Sequence, residues 1–273
     1  MRHRGKLSLI GALLAIALLG QACVDAPGGG TTSGTVLYAY DNTAHKIIGW
    51  DANTFYDSDN PTALKTVTST VLTNKMVNLS WGGLCHDSSS DRLFLVNETT
   101  GDVVRVNRMR NQSGEIPSTS LDVATFTLGT SSDRLPSGRF GQAAIDPATG
   151  TLYVTEKNEG DTRIWVVAGA GVILDKTTVQ LTSLTVPGDK DCTGVAAGMS
   201  GQVFAYFNSG NAIGFDQVIG PRLRKGTSAG FFPNASVLIG TNTMLGKYGS
   251  LALDNANTLV FLARHNQDSS ANL

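Results

Sequence analysis

Four short motifs hold the residues best suited to chemistry: Ser80-Trp81-Gly82, Arg139-Phe140-Gly141, Asp191-Cys192-Thr193 and Lys247-Tyr248-Gly249. Each stands just before an apolar run. Aromatic surfaces flanked by a few charges suit a pocket for a polar organic ligand, which makes Trp81, Arg139, Phe140, Asp191, Lys247 and Tyr248 the candidate ligand-binding residues. A second reading stays open: the aromatics fill space inside the fold and the charges are simply solvated. Asp87, Asp146 and Asp254 recur at matched positions and suggest a metal ring, but Asp at the start of a turn is ordinary turn chemistry. The Asp57-Ser58-Asp59-Asn60 stretch lacks the later Gly and Glu of a calcium loop. Three Cys and four His show no CxxC or HxxxH spacing, so zinc is disfavoured. No GxSxG elbow or phosphate-binding loop occurs. Glu98, Glu156 and Glu159 fall in hairpins, where exposed charge is expected. No catalytic residue, metal or cofactor is therefore expected.

The elements that position these residues are repeats. Five runs of one shape recur every roughly 50–60 residues, a period that marks propellers and solenoids. The copies read Thr35–Tyr40; Gly83–Asp87 into Arg92–Val96; Gln142–Asp146 into Thr151–Thr155; Gly194–Gly198 into Gln202–Tyr206; and Ser250–Asp254 into Thr258–Leu262. The second copy divides into strands at Gly83–His86, Arg92–Val96, Asp102–Val106 and Leu121–Leu128, with turn-forming runs between them. The third divides at Gln142–Ile145, Thr151–Thr155, Thr162–Val167 and Thr177–Leu184. Many short strands with no helical periodicity predict an all-β fold, a β-propeller of four-stranded blades. A lone blade cannot bury both faces, so blades must stack. The first copy matches only the second to fourth strands of a blade, and the last stops after its second strand. The ring is thus expected to be incomplete, with about five repeats visible, as part of a ring of six or more blades.

The N-terminus predicts a compartment. Arg2, Arg4 and Lys6 precede an apolar run from Leu7 to Leu19, the layout of a secretory signal and too short for a spanning helix. Gly20-Gln21-Ala22-Cys23 follows and resembles the lipobox of bacterial lipoproteins, although Leu19 lies one position further out than that family prefers. The resemblance implies acylation of Cys23 and an anchor on the outer side of a bacterial membrane. Residues 23–34 are rich in Gly, Ser and Thr and read as a flexible spacer, after a signal over 1–22 and before a propeller domain over 35–273.

Loss of the signal leaves 18 Lys and Arg against 22 Asp and Glu. With no basic patch beyond Arg105, Arg108 and Arg110, nucleic acid is not an expected partner. The partners expected are the membrane, through the lipid, and a small ligand, glycan or envelope protein. Cys85 and Cys192 fall in non-adjacent repeats, which disfavours a disulfide, and Cys85 aligns with Ala144, Ala196 and Ala252 as a small buried filler.

The run from Ala144 to Glu156, with Arg163-Ile164-Trp165-Val166 after it, resembles the propeller repeats of the NHL, YVTN and gluconolactonase-like families. The resemblance implies the propeller fold. Through the gluconolactonase-like family it implies an alternative function as a metal-dependent hydrolase or lactonase, with Asp191 the one matched ligand at the channel mouth. The leading expectation is a non-enzymatic, lipid-anchored binding module of the cell envelope.

Overall fold

The computed structural model describes residues 23–24, 36–51, 65–68, 80–110, 120–158, 161–180, 182–185, 190–198, 201–209, 222–238, 248–254 and 259–265, with Leu72 and Ile116. They form blades built on antiparallel strands, four of them with four or more described strands and one with two. The first comprises β1 (Cys23–Val24), β2 (Val36–Asp41), β3 (Lys46–Asp51) and β4 (Lys65–Thr68), hydrogen-bonded in that order. The second comprises β5 (Trp81–Asp87), β6 (Arg92–Asn97), β7 (Asp102–Val106) and β8 (Val123–Leu128). β9 (Arg139–Asp146), β10 (Thr151–Asn158) and β11 (Asp161–Val167) begin the third.

Here the chain departs from the simple repeat. Thr177–Leu184 is not one outer strand. β12 (Thr177–Val179) pairs parallel with β8 and widens the second blade, and only β13 (Thr182–Leu184) completes the third. Asp175 fixes the crossing by accepting hydrogen bonds from Thr125 N and Oγ1. β14 (Lys190–Ala197), β15 (Gln202–Ser209), β16 (Arg222–Thr227) and β17 (Gly230–Leu238) make the fourth blade, and β18 (Tyr248–Asp254) pairs with β19 (Leu259–His265) in the fifth. A second departure lies at the start. β1, which the sequence places in the spacer, pairs Cys23 with Tyr38 and Val24 with Leu37 and supplies the first blade's innermost strand.

The innermost strands β5, β9, β14 and β18 contact one another in sequence order, which defines the propeller. The second, third and fourth blades are covered on both faces, so both sets of their alternating side chains must be apolar. In β10, Leu152 and Val154 join the cluster shared with the second blade, while Tyr153 joins the cluster shared with the fourth. The register explains the buried thiol at Cys85, which lies opposite Phe94 where Ala144 lies opposite Tyr153 and Ala196 opposite Phe204. A small residue thus faces a large aromatic in each blade. Cys85 and Cys192 are both buried and not joined in a disulfide.

Gln142 on β9 ties three blades together. Its Oε1 accepts from Val195 N at 2.9 Å and Leu251 N at 3.2 Å, and its Nε2 donates to Leu251 O at 2.9 Å. Gly194 makes room, since a Cβ there would lie 2.9 Å from Leu251 Cγ.

The turns between first and second strands form the opposite end from the motifs singled out above. Asp87 there accepts from Ser89 N, Ser89 Oγ and Ser90 Oγ. Asp146 accepts from Ala148 N and Thr149 Oγ1, and also from Gly201 N of the next blade. Both side chains are buried and serve as turn formers. The side chain of Asp254 lies outside the described residues.

Candidate functional site

The end of the propeller where innermost strands begin is built on a repeated β-bulge. The pairing of first and second strands slips by one residue between Trp81 and Gly83, across the Phe140–Ala143 stretch opposite Val154–Glu156, and between Cys192 and Gly194. A bulge bends its strand and re-aims the side chains beside it. The residue at the bulge is turned between blades. Trp81 joins the cluster between the first and second blades, Phe140 that between the second and third, and Cys192 that between the third and fourth. Their exposures are 4%, 2% and 1%.

Each blade's hairpin clips the next blade's wedge. Asn42 Oδ1 accepts from Trp81 N at 3.0 Å and Asn42 Nδ2 donates to Trp81 O at 3.1 Å. Phe140 N donates to Glu98 O at 2.8 Å. Cys192 N donates to Thr162 Oγ1 at 3.3 Å. In each contact a main-chain group of the wedge residue is held by the preceding blade.

The candidate residues therefore separate. Trp81 and Phe140 are packing groups at two different blade interfaces. Arg139 stays at the surface, with its side chain 66% exposed. Asp191 is the second residue of β14 and Tyr248 the first of β18, but their side chains lie outside the described residues, as does Lys247 altogether. The side chain of Cys23 is likewise not described.

What the mouth does present is a charged corner on the second and third blades. Glu98 Oε1 accepts from Arg139 Nη1 at 2.9 Å, and Glu98 Oε2 accepts from Ser80 Oγ at 2.7 Å. Partial burial opposes ionisation of Glu98, but the hydrogen bonds from Ser80 and Arg139, with the charges of Arg139 and Lys157, outweigh it and hold the carboxyl below its usual range. Lys157 lies directly opposite Arg139 in the β9–β10 register. Expectation and structure differ here: Glu98 is half-buried and bound, not a free hairpin charge.

Glu156 differs more. It is fully buried, opposite Phe140 in register, in the place that Asn97 takes opposite Trp81. Its Oε1 accepts from Leu135 N at 3.1 Å and its Oε2 from Trp165 Nε1. Arg134 donates to Thr100 O and Arg163 to Asp133 O, so the 130–138 loop is fastened across the mouth from three sides. Glu98 and Glu156 escape sequence reasoning because a hairpin Glu looks solvated in sequence. The available signal is alignment with Asn97, a turn-capping residue that accepts from Thr99 N and Thr100 N.

Burial pushes the Glu156 carboxyl above its ordinary value of 4.5, against the donors from Trp165 and Leu135 and the charges of Arg163 and Arg134. The folded chain thus binds this proton more tightly than the unfolded chain. Its contribution to stability is present below pH 4.5 and is lost as pH rises through the higher folded-state value. Glu156→Gln removes the titration. The melting temperature of the variant minus that of the native chain should increase between pH 4 and pH 8, whatever constant offset the amide introduces, and a difference independent of pH would refute the assignment.

Among the described residues no three His, Cys, Asp or Glu side chains gather as a metal site. No family model and no curated protein matches the chain. Among solved structures it is similar to one in a nidogen/laminin complex, at 14% identity and TM-score 0.47, over 90% of this chain and 81% of that one. It is also similar to a luciferin-regenerating enzyme, at 10% identity and TM-score 0.49, over 90% and 71%. A third likeness is to the β-propeller domain of Swd1 from Myceliophteria thermophila, at 13% and 0.43, over 80% and 59%. Likenesses of this size add nothing to the sheet topology, which carries the fold by itself.

Proposed function

We propose that this chain is a lipid-anchored, extracytoplasmic β-propeller that binds a polar ligand at the mouth where its innermost strands begin. The observation that carries the reading is the corner formed by Ser80, Glu98 and Arg139, in which an exposed cation is oriented by a bound carboxylate on two clipped blades. Preorganised polar groups on a rigid scaffold favour binding, because little ordering remains to be done when a ligand arrives. Ligand classes within this reading are a small molecule, a glycan or an envelope protein.

The compartment rests on the charged N-terminus, the apolar run and Cys23. Because Cys23 and Val24 pair with β2, an acyl group on Cys23 would hold the propeller close to the bilayer rather than at the end of a free tether. Cys23→Ser should move the chain from the membrane fraction to the soluble fraction; fractionation unchanged by the substitution would overturn the anchor. For the mouth, the full chain is screened against a glycan array and a panel of lactones and esters. Binding weakened by substitution at Ser80 or Arg139 supports the module, whereas metal-dependent turnover of a lactone or ester would replace it with an enzyme.

A further inference from the structure

We propose that the turn end of the propeller, opposite the mouth, carries a second binding site, for a phosphate group held by Arg92 between the second and third blades. Arg105 lies opposite Phe94 in the β6–β7 register and Arg92 stands two residues before Phe94, so both arginines leave the face of the second blade that is turned to the third. They meet the third blade at one turn, Ala170–Val172. Arg105 Nη1 donates to Ala170 O at 2.9 Å, and a Cβ on Gly171 would lie 2.6 Å from Arg92 Nη1. Two like charges are thus packed against consecutive residues.

The two arginines differ in what holds them. Arg105 is buried, and its Nε donates to Asn107 Oδ1 at 2.6 Å. Arg92 is partly exposed and makes no hydrogen bond or ion pair among the described residues, and its Nε is buried without an acceptor. The nearby carboxylates are engaged elsewhere. Asp87, opposite Arg92 in register, is bound by Ser89 and Ser90 of its own turn. Asp91 pairs with His86 and Arg110, Asp122 accepts from Asn107, and Asp175 accepts from Thr125. Asp122 and Asp175 act on Arg105 through space, yet burial and the charge of Arg92 outweigh them and hold the Arg105 guanidinium below its ordinary range.

A phosphate group answers both features. A carboxylate has two oxygens, and one guanidinium fork engages both. A phosphate carries a charge of about −1.5 to −2 near neutral pH and three acceptor oxygens, enough to accept from Arg92 and to offset Arg105 behind it. Arg105 is already fixed by Asn107 and Ala170, so only Arg92 need be ordered when the ligand arrives.

The test is calorimetric titration of the full chain with inorganic phosphate, glycerol phosphate and acetate at one ionic strength. The phosphates should bind about tenfold or more tightly than acetate. Arg92→Gln should remove that preference, and without ligand its melting temperature should equal or exceed that of the native chain, because a repulsion is relieved. Arg92→Lys keeps the charge but not the fork and should fall between the two in phosphate affinity. Arg108→Gln removes an exposed cation of the same end and should leave the preference in place. Equal binding of phosphate and acetate, or no binding of phosphate, would overturn the site. So would a preference that survives Arg92→Gln, which marks an ion bound elsewhere, or one lost equally in Arg108→Gln, which marks diffuse surface charge. An Arg92→Gln chain melting well below the native one would make Arg92 a packing group and overturn it too. Glycerol phosphate binding more tightly than inorganic phosphate assigns the site to an ester, and the reverse assigns it to the free anion.

Discussion

Phe140→Ala should lower the unfolding free energy by about 3–5 kcal/mol, the range for truncating a buried aromatic, while Arg139→Ala next to it should cost well under half of that. The contrast follows from one bulge. Phe140 is 2% exposed and packs among side chains of the second and third blades together, including Phe94, Phe126 and Val154. Its ring lies over Gly101, where a Cβ would come within 2.8 Å of Cζ and where φ is +70°, and the Arg134 guanidinium stands 6.0 Å from its centroid. A cavity here opens between blades, and neither sheet can close it without moving the other. Arg139 loses only a partly exposed ion pair with Glu98, of a kind usually worth up to about 1 kcal/mol. Urea unfolding of both variants decides the matter. Comparable losses would mean that Phe140 is a mouth residue after all.

The propeller is legible because its repeat is written twice over, in period and in alternation. Leu152-Tyr153-Val154 shows no polar face, and a strand of that kind must be covered on both sides. Strand ends are less legible. β12 cannot be told from β13 in sequence, since Thr177–Leu184 reads as one β-prone run, and its crossing to the neighbouring blade shows only in the parallel pairing with β8 and the Asp175 bond to Thr125. β1 is hidden for a similar reason: two residues before a Gly-rich stretch carry no periodic signal, and their pairing with Tyr38 and Leu37 is a long-range choice.

The mouth is half legible. Alignment finds the right positions, and at Trp81, Phe140 and Cys192 it finds one structural role under three residue types. What sequence does not supply is the side of the strand. A one-residue bulge reverses which neighbours point outward, so Trp81 and Phe140 go to the interior and Arg139 to the surface. The buried acid at Glu156 is obscured by the same slip, which brings it opposite Phe140.

The glycines of these motifs lead to the second large effect, Gly82→Ala. At this position a Cβ would be driven into the main-chain oxygen of Phe140, and at Gly83 it would lie 2.6 Å from Gly141 O and 3.0 Å from the Ala143 Cβ. These obstacles are backbone on the neighbouring innermost strand, so no side-chain rotamer can relieve them. Either β5 and β9 separate or the bulge is lost, and both outcomes disturb the wedges on either side. The cost should reach or exceed the ~1–3 kcal/mol typical of overpacking. Gly150→Ala is the control. Gly150 sits at φ +66° with nothing within 4 Å of an added methyl, so it tests left-handed backbone strain alone, about 1 kcal/mol. Chemical denaturation should therefore rank Gly82→Ala well below Gly150→Ala in stability. If the two variants unfold at the same urea concentration, the innermost strands are not in the close contact that seats Trp81 and Phe140, and the rigid mouth loses its physical basis.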